Sequence, residues 1–310
     1  MRDSAHRRLL SLLLFGQSVL FAAGMLYRQD ACAQTVVHDD EVLASDRPEA
    51  WAMNYMAATT FMTASGDDAV QSPGRWSIAL ELGDIPRLSA AQRQVGLGGT
   101  KIEDLNKSPV FGRVRLALGL PAGWIAELGY TPPLTINGLR AHGLIALAFG
   151  HSVIERDAWA ISARAFGQHG AALGDITCPA DIAGVTDSAV NPYGCQAASH
   201  DRVALNYYGA DLTAGGGRGG WHWHGGFGVV RTELAVQLDA LTFSFRDRSR
   251  LTANGVRRYL ALGGSRDIDA RWSVGAEVLY VPMSVRRTPD GPADHDPLTS
   301  FRLQLRYRRE

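Results

Sequence analysis

The sequence predicts an all-β protein: an antiparallel transmembrane β-barrel of about ten strands, or twelve if two weaker segments join the ring. Three observations carry that expectation. From Arg75 onward, apolar residues alternate with small or charged ones at a period of two. Short connections alternate with long ones, as in a barrel whose turns lie on one side of a membrane and whose loops lie on the other. The first 33 residues have the order of an export signal.

A chain of 310 residues accommodates one large domain or two ordinary ones. Its formal net charge of zero lacks the basic excess of a nucleic-acid binder, so no nucleic-acid partner is expected. The 34 glycines suit tight turns and crowded strands better than helices. After residue 30 no apolar run is long enough to cross a bilayer as a helix.

At the N-terminus, Arg2, Arg7 and Arg8 precede an apolar region from Leu9 to Leu26, and Ala31-Cys32-Ala33 supplies small residues where cleavage is expected. This reads as a signal peptide over 1–33, with a retained anchor as the rival. Gln29 and Asp30 are wrong for lipidation at Cys32. Cleavage leaves Cys178 and Cys195, both in one long loop, and an even pair in an exported chain predicts a disulfide.

Residues 34–72 form a separate N-terminal segment. Val36 to Ala44 is acidic, whereas Trp51 to Met62 is apolar enough to be ordered. A short helix, an inward-folded plug, an extra strand and a periplasmic extension all fit. The barrel is assigned to 73–310.

Within it, Trp76, Ile78, Leu80 and Leu82 alternate with smaller or polar residues, as do Val114 to Leu120, Trp124 to Tyr130, Trp272 to Tyr280 and Phe301 to Tyr307. Weaker alternation marks Ala141 to Gly150, Trp159 to Gln168, Val203 to Leu212, Trp221 to Arg231 and Val256 to Gly264. The apolar phase slips between Tyr207 and Tyr208, which predicts a bulge. Leu241 to Phe245 and the stretch near Met53 to Met62 are the segments that raise the count to twelve. Short links at 121–123, 155–157, 215–220 and 265–271 alternate with longer ones at 84–112, 131–140, 169–202, 236–255 and 285–298.

The polar faces place Arg75, Glu81, Arg113, Arg115, Glu127, Arg164, His222, His224, Glu277, Arg302 and Arg306 in the lumen. Unpaired charge there is costly, so these groups are expected to pair with one another. Trp76, Trp124, Tyr130, Trp159, Trp221, Trp223, Trp272, Tyr280 and Tyr307 are expected in aromatic belts at the two membrane interfaces. His222 and His224 share one strand face but lack a third ligand, so neither a metal nor a cofactor is expected. No catalytic residue is assigned: His295 between Asp294 and Asp296, the pair His151-Ser152 and Asp67-Asp68 have no assembled nucleophile, base and orienter. The Gly215–Gly220 run lacks the Gly-Lys-Ser/Thr ending of a phosphate loop. Lys101 and Lys107 are candidates for lipopolysaccharide phosphates.

Taken together, the export signal, the aromatic-ended strands, the loop parity and the terminal Phe301-Leu303-Leu305-Tyr307 resemble a bacterial outer-membrane β-barrel over about residues 75 to 308. Members of that class commonly end in an aromatic residue; here Arg308, Arg309 and Glu310 follow Tyr307. The resemblance implies residence in the Gram-negative outer membrane, contact with its lipid and lipopolysaccharide, and insertion by the barrel-assembly machinery. It implies porin-like passive transport or uptake of small molecules, hydrophobic ones included, of unspecified identity. The alternatives are an adhesion barrel that presents its loops to a partner, and an outer-membrane lipase or protease.

Overall fold

A computed structural model describes residues 35–64, 72–243, 245–288 and 290–309. The expected signal peptide, Cys32 and Asp67-Asp68 lie outside the described residues, as does Glu310. Ten long strands make the ring: β1 (Trp76–Asp84), β2 (Val110–Gly119), β3 (Trp124–Tyr130), β4 (Leu139–Glu155), β5 (Trp159–Gly174), β6 (Asp201–Arg218), β7 (Trp221–Gln237), β8 (Arg250–Asp267), β9 (Trp272–Val281) and β10 (Leu298–Arg309). Each pairs antiparallel with its sequence neighbours, and β10 returns to β1, with Leu305 opposite Leu80, so the sheet closes on itself. Two short strands are added outside the ring: Asp40–Val42 runs parallel to β8, and Thr135–Ile136 pairs with β4. Ala240–Thr242 and Phe245–Asp247 form a hairpin in a long loop and are not barrel strands.

Alternation decides which side chains face out. Ile78, Leu80, Leu82, Leu116, Leu118, Leu147, Leu262 and Leu303 are all exposed in the isolated chain, an apolar girth that only lipid can cover. The aromatic residues are distributed unevenly. Trp76, Trp124, Trp159, Trp221, Trp223, Trp272 and Tyr307 sit at the strand ends beside the short turns, and only Tyr130 and Tyr280 of the expected set reach the other interface. Tyr307 links this denser girdle, its ring centroid 5.1 Å from Trp272 and 6.0 Å from Trp76.

Strands β4 to β8 run 16–18 residues, well beyond the segments the alternation outlined. The expected bulge at Tyr207/Tyr208 is absent: Tyr207 opposes Thr232 and Tyr208 opposes Arg231 in unbroken register. The inner face simply becomes apolar there, with Val203, Leu205 and Tyr207 buried in the lumen and Tyr208 facing out. The irregularities lie in the β4–β5 ladder instead, where β4 carries an extra residue opposite Ile161/Ser162 and again opposite His169/Ala171. The turn from β6 to β7 is only Gly219-Gly220, with φ of +62° and +77°, the two left-handed positions that a type I′ hairpin requires.

Inside the ring lies helix α1 (Pro48–Thr59), with Pro48 in its first turn and every residue except Met56 buried. A helix covered on all sides must be enclosed by protein, and α1 contacts β6, β7, β8 and β10 together. Its start is tied to the long loops: Gly98 N donates to Glu49 (3.0 Å), Trp51 Nε1 to the Asp296 carbonyl (2.9 Å) and Tyr55 Oη to that of Pro86 (2.8 Å). Leu43 N donates to Thr252 O at the long-loop rim, whereas Gly74 N donates to Gly119 O beside a short turn. The chain is therefore at opposite ends of the ring before and after α1. Because the long loops of such barrels face outward, residues 40–47 are expected at the cell surface. A thiol introduced as Val42→Cys, at a side chain 79% exposed, is expected to react with a membrane-impermeant maleimide on intact cells. Labelling only after the outer membrane is permeabilised would reverse this orientation.

Candidate functional site

The lumen has two levels with different chemistry. At the lower level, the strands' inward phase converges on a buried ionic layer. Glu127 accepts from Arg115 and from Arg164 (2.6 Å), Arg115 reaches Glu81 (3.2 Å), and Arg164 also donates to Asp211 (2.7 and 3.2 Å). Tyr259 Oη donates to Asp211 at 2.6 Å, and Glu277 sits 3.1 Å from His224 Nε2. Burying such charges is costly, and mutual pairing offsets the cost only when the remaining donors are satisfied as well.

The residues that follow α1 provide those acceptors. Arg302 donates to the carbonyls of Phe61 (2.6 Å) and Thr59 (3.2 Å), Arg113 to that of Thr60, and Arg164 to that of Met62 (2.9 Å). A helix C-terminus leaves its last carbonyls unpaired and carries partial negative charge, so guanidinium groups are suitable partners. Thr63 Oγ1 donates to Glu277 (2.6 Å), and Tyr207 Oη donates to Thr60 O (2.6 Å).

The sequence reading placed Glu81, Arg113, Arg115, Glu127, Arg164, His224, Glu277, Arg302 and Arg306 in the lumen, and here all are less than a tenth exposed. Two of the expected lumen residues are less enclosed. Arg75 is exposed ahead of β1, and half-buried His222 contacts Asp267 at 3.0 Å near the short-turn rim. Asp211, Gln168, Tyr207, Tyr259 and the carbonyls of 59–62 were not foreseen. Asp211 does alternate with Ala210 and Leu212 on β6, a legible inward signal, but its place opposite Arg164 depends on pairing between strands.

The upper level is apolar. A cavity of about 170 Å³ lies between α1, the 94–105 loop, the outer parts of β6 to β8 and the Ala240–Asp247 hairpin. Met53, Met56, Val95, Leu105, Val236 and Leu251 are among the residues lining it. Its polar groups include the pair Lys101 Nζ to Glu103 (2.5 Å), with Lys101 also donating to Thr177 O (2.5 Å), and the carboxylates of Glu49, Asp201 and Asp247. Burial pushes the Glu103 carboxyl up to about 7 although Lys101 opposes the shift. Lys107 is equally enclosed, 2.9 Å from Asp104 and 3.0 Å from Asp175. Both lysines are thus committed to internal ion pairs, contrary to the expectation that they meet lipopolysaccharide phosphates.

Cys178 and Cys195 form a disulfide, fully buried, which closes the 175–200 loop on itself and packs on Ala240 of the hairpin beside the cavity. The remaining candidates do not assemble. His295 Nε2 is 3.4 Å from Tyr280 Oη, while Asp296 pairs with Arg287. His151 contacts Ala122 O and Ser152 points to the opposite, buried face. Among the described residues no three His, Cys, Asp or Glu side chains are grouped to hold a metal.

No family model and no curated protein matches this chain. Solved structures resemble it at low identity. The attachment invasion locus protein Ail of Yersinia pestis is 8% identical over 77% of this chain and 100% of its own, with a TM-score of 0.31. The Ralstonia pickettii toluene transporter TbuX is 8% identical over 86% and 92%, with a TM-score of 0.31. The Escherichia coli outer membrane protease OmpT is 8% identical over 76% and 92%, with a TM-score of 0.34. Resemblance at this level transfers no activity. The closed ten-stranded ring, its apolar outer girth and its buried ionic lumen give the chain the fold of an outer-membrane β-barrel.

Proposed function

We propose that the protein captures small apolar molecules at the outer face of the membrane and passes them inward. The observation that supports this most is the apolar cavity at the long-loop end, floored by Met53 and Met56 of α1 and lined by aliphatic residues from four separate parts of the chain. Sites for small molecules are concave and largely apolar, with few polar groups to set orientation; here Lys101 and Glu103 are among those groups. The segment 48–63 acts as a plug. Beneath the cavity its carbonyls and the arginine layer fill the lumen, an environment suited neither to open ion flow nor to an apolar solute.

Fluorescence titration of the purified barrel in lipid nanodiscs with N-phenyl-1-naphthylamine tests the reading. Saturable binding is expected, weakened by roughly tenfold or more in Leu105→Arg, because an unpaired charge in an apolar site costs at least a few kcal/mol. Non-saturable partitioning identical in empty nanodiscs would refute it.

A further inference from the structure

The ring is not sealed along its whole height. β2 and β3 pair from Val114–Tyr130 to Gly119–Ile125, yet β2 begins four residues earlier, so Val110 to Arg113 are outside the β2–β3 ladder. The cause is local sequence. Thr131 N still donates to Leu144 O (3.1 Å) and stays with β4, after which Pro132 and Pro133 have no N–H to extend a ladder. The chain then turns away into Thr135–Ile136.

A cavity of about 260 Å³ occupies this place, and its lining changes sides. Leu82 and Leu134, 46% and 68% exposed, stand on the lipid side, whereas Tyr55, Met56 and Leu205 belong to the lumen. One cavity touches both sets only by crossing the wall. Gly112, on the outward face opposite Leu82, leaves the crossing free of a side chain; a Cβ there would touch only Leu82 Cδ2, at 3.4 Å. Met56 and Leu105 line this cavity and the outer one alike. Irregular backbone at membrane depth is tolerated where it borders a cavity, so a gap here needs an occupied or traversed space to justify it.

We infer that an apolar solute leaves the outer cavity sideways, past Met56 and Leu105 and through the gap between β2 and β4, into the bilayer. The inference rests on the capture of apolar molecules proposed above. Downward passage would take such a solute through buried guanidiniums and carboxylates, whereas the lateral cavity is lined mostly by aliphatic and aromatic residues, with Arg113 its one charged group.

The test uses cells with an intact lipopolysaccharide layer that express the full chain, with N-phenyl-1-naphthylamine as probe, since its fluorescence rises on entering lipid. Gly112→Phe fills the opening, and Leu134→Arg places a charge at its exposed lip without touching a long strand. Both are expected to slow the fluorescence rise by roughly tenfold while the purified variants bind the dye within about twofold of wild type. Unchanged entry in either folded variant with normal binding would overturn the lateral route alone. Absence of saturable dye binding in the wild type would overturn the capture reading and the route together. Heat-modifiable migration reports folding, so if one variant fails to fold the other still decides.

Discussion

Glu127→Ala is expected to lower the stability of the folded barrel by about 3–5 kcal/mol, the cost of leaving one side of a buried ion pair uncompensated. Glu127 is the hub of the lower lumen: one oxygen takes Arg164 at 2.6 Å and the other takes Arg115, with only 2% of the side chain exposed. Five guanidiniums, of Arg113, Arg115, Arg164, Arg302 and Arg306, already face four carboxylates, of Glu81, Glu127, Asp211 and Glu277. Removing one anion widens that imbalance in a layer buried from solvent. The fraction of heat-modifiable barrel across a urea series measures the loss. Leu128→Ala, one residue along and facing lipid at 42% exposure, is the matched control and should cost less than about 1 kcal/mol. Equal effects from the two substitutions would mean that the layer is not a stabilising unit.

Phe61→Ala should cost about 3–5 kcal/mol locally, as large-to-small changes in packed interiors do. Phe61 has no exposed surface, and its ring sits 5.1 Å from Tyr207, edge-on, and 6.1 Å from Tyr259. These contacts fix the segment whose carbonyls neutralise the arginines, so the ring and the ionic layer hold each other in place. The expected readouts are protease cleavage within the 48–63 segment of an otherwise folded barrel, and small-ion conductance in planar bilayers that the wild type lacks. Cleavage and conductance both unchanged would show that the segment is held by its hydrogen bonds alone.

Much of this architecture is legible in local patterns. Which face of Trp76 to Leu82 or Phe301 to Tyr307 meets lipid depends on a period of two, and which connections are long can be counted along the chain, so both survive without knowledge of partners. The same logic misled at Tyr207, because it assumes an interior that is polar throughout. Val203 and Leu205 are apolar and still face inward, since α1 and not water lies opposite them. Once a helix enters the lumen, hydrophobicity no longer distinguishes the inside of a strand from the outside.

The sequence by itself therefore determined the ring, its polarity and the ionic character of its lower lumen, all consequences of short-range alternation. Only the tertiary structure decided what the charges meet and where apolar space remains. The bond from Arg302 to the Phe61 carbonyl spans 241 positions, and the Arg164–Asp211 pair follows from strand register. The gap beside Gly112 depends on where one ladder stops while another continues. Such features arise from long-range closure of the sheet around α1, and no window of neighbouring residues encodes them.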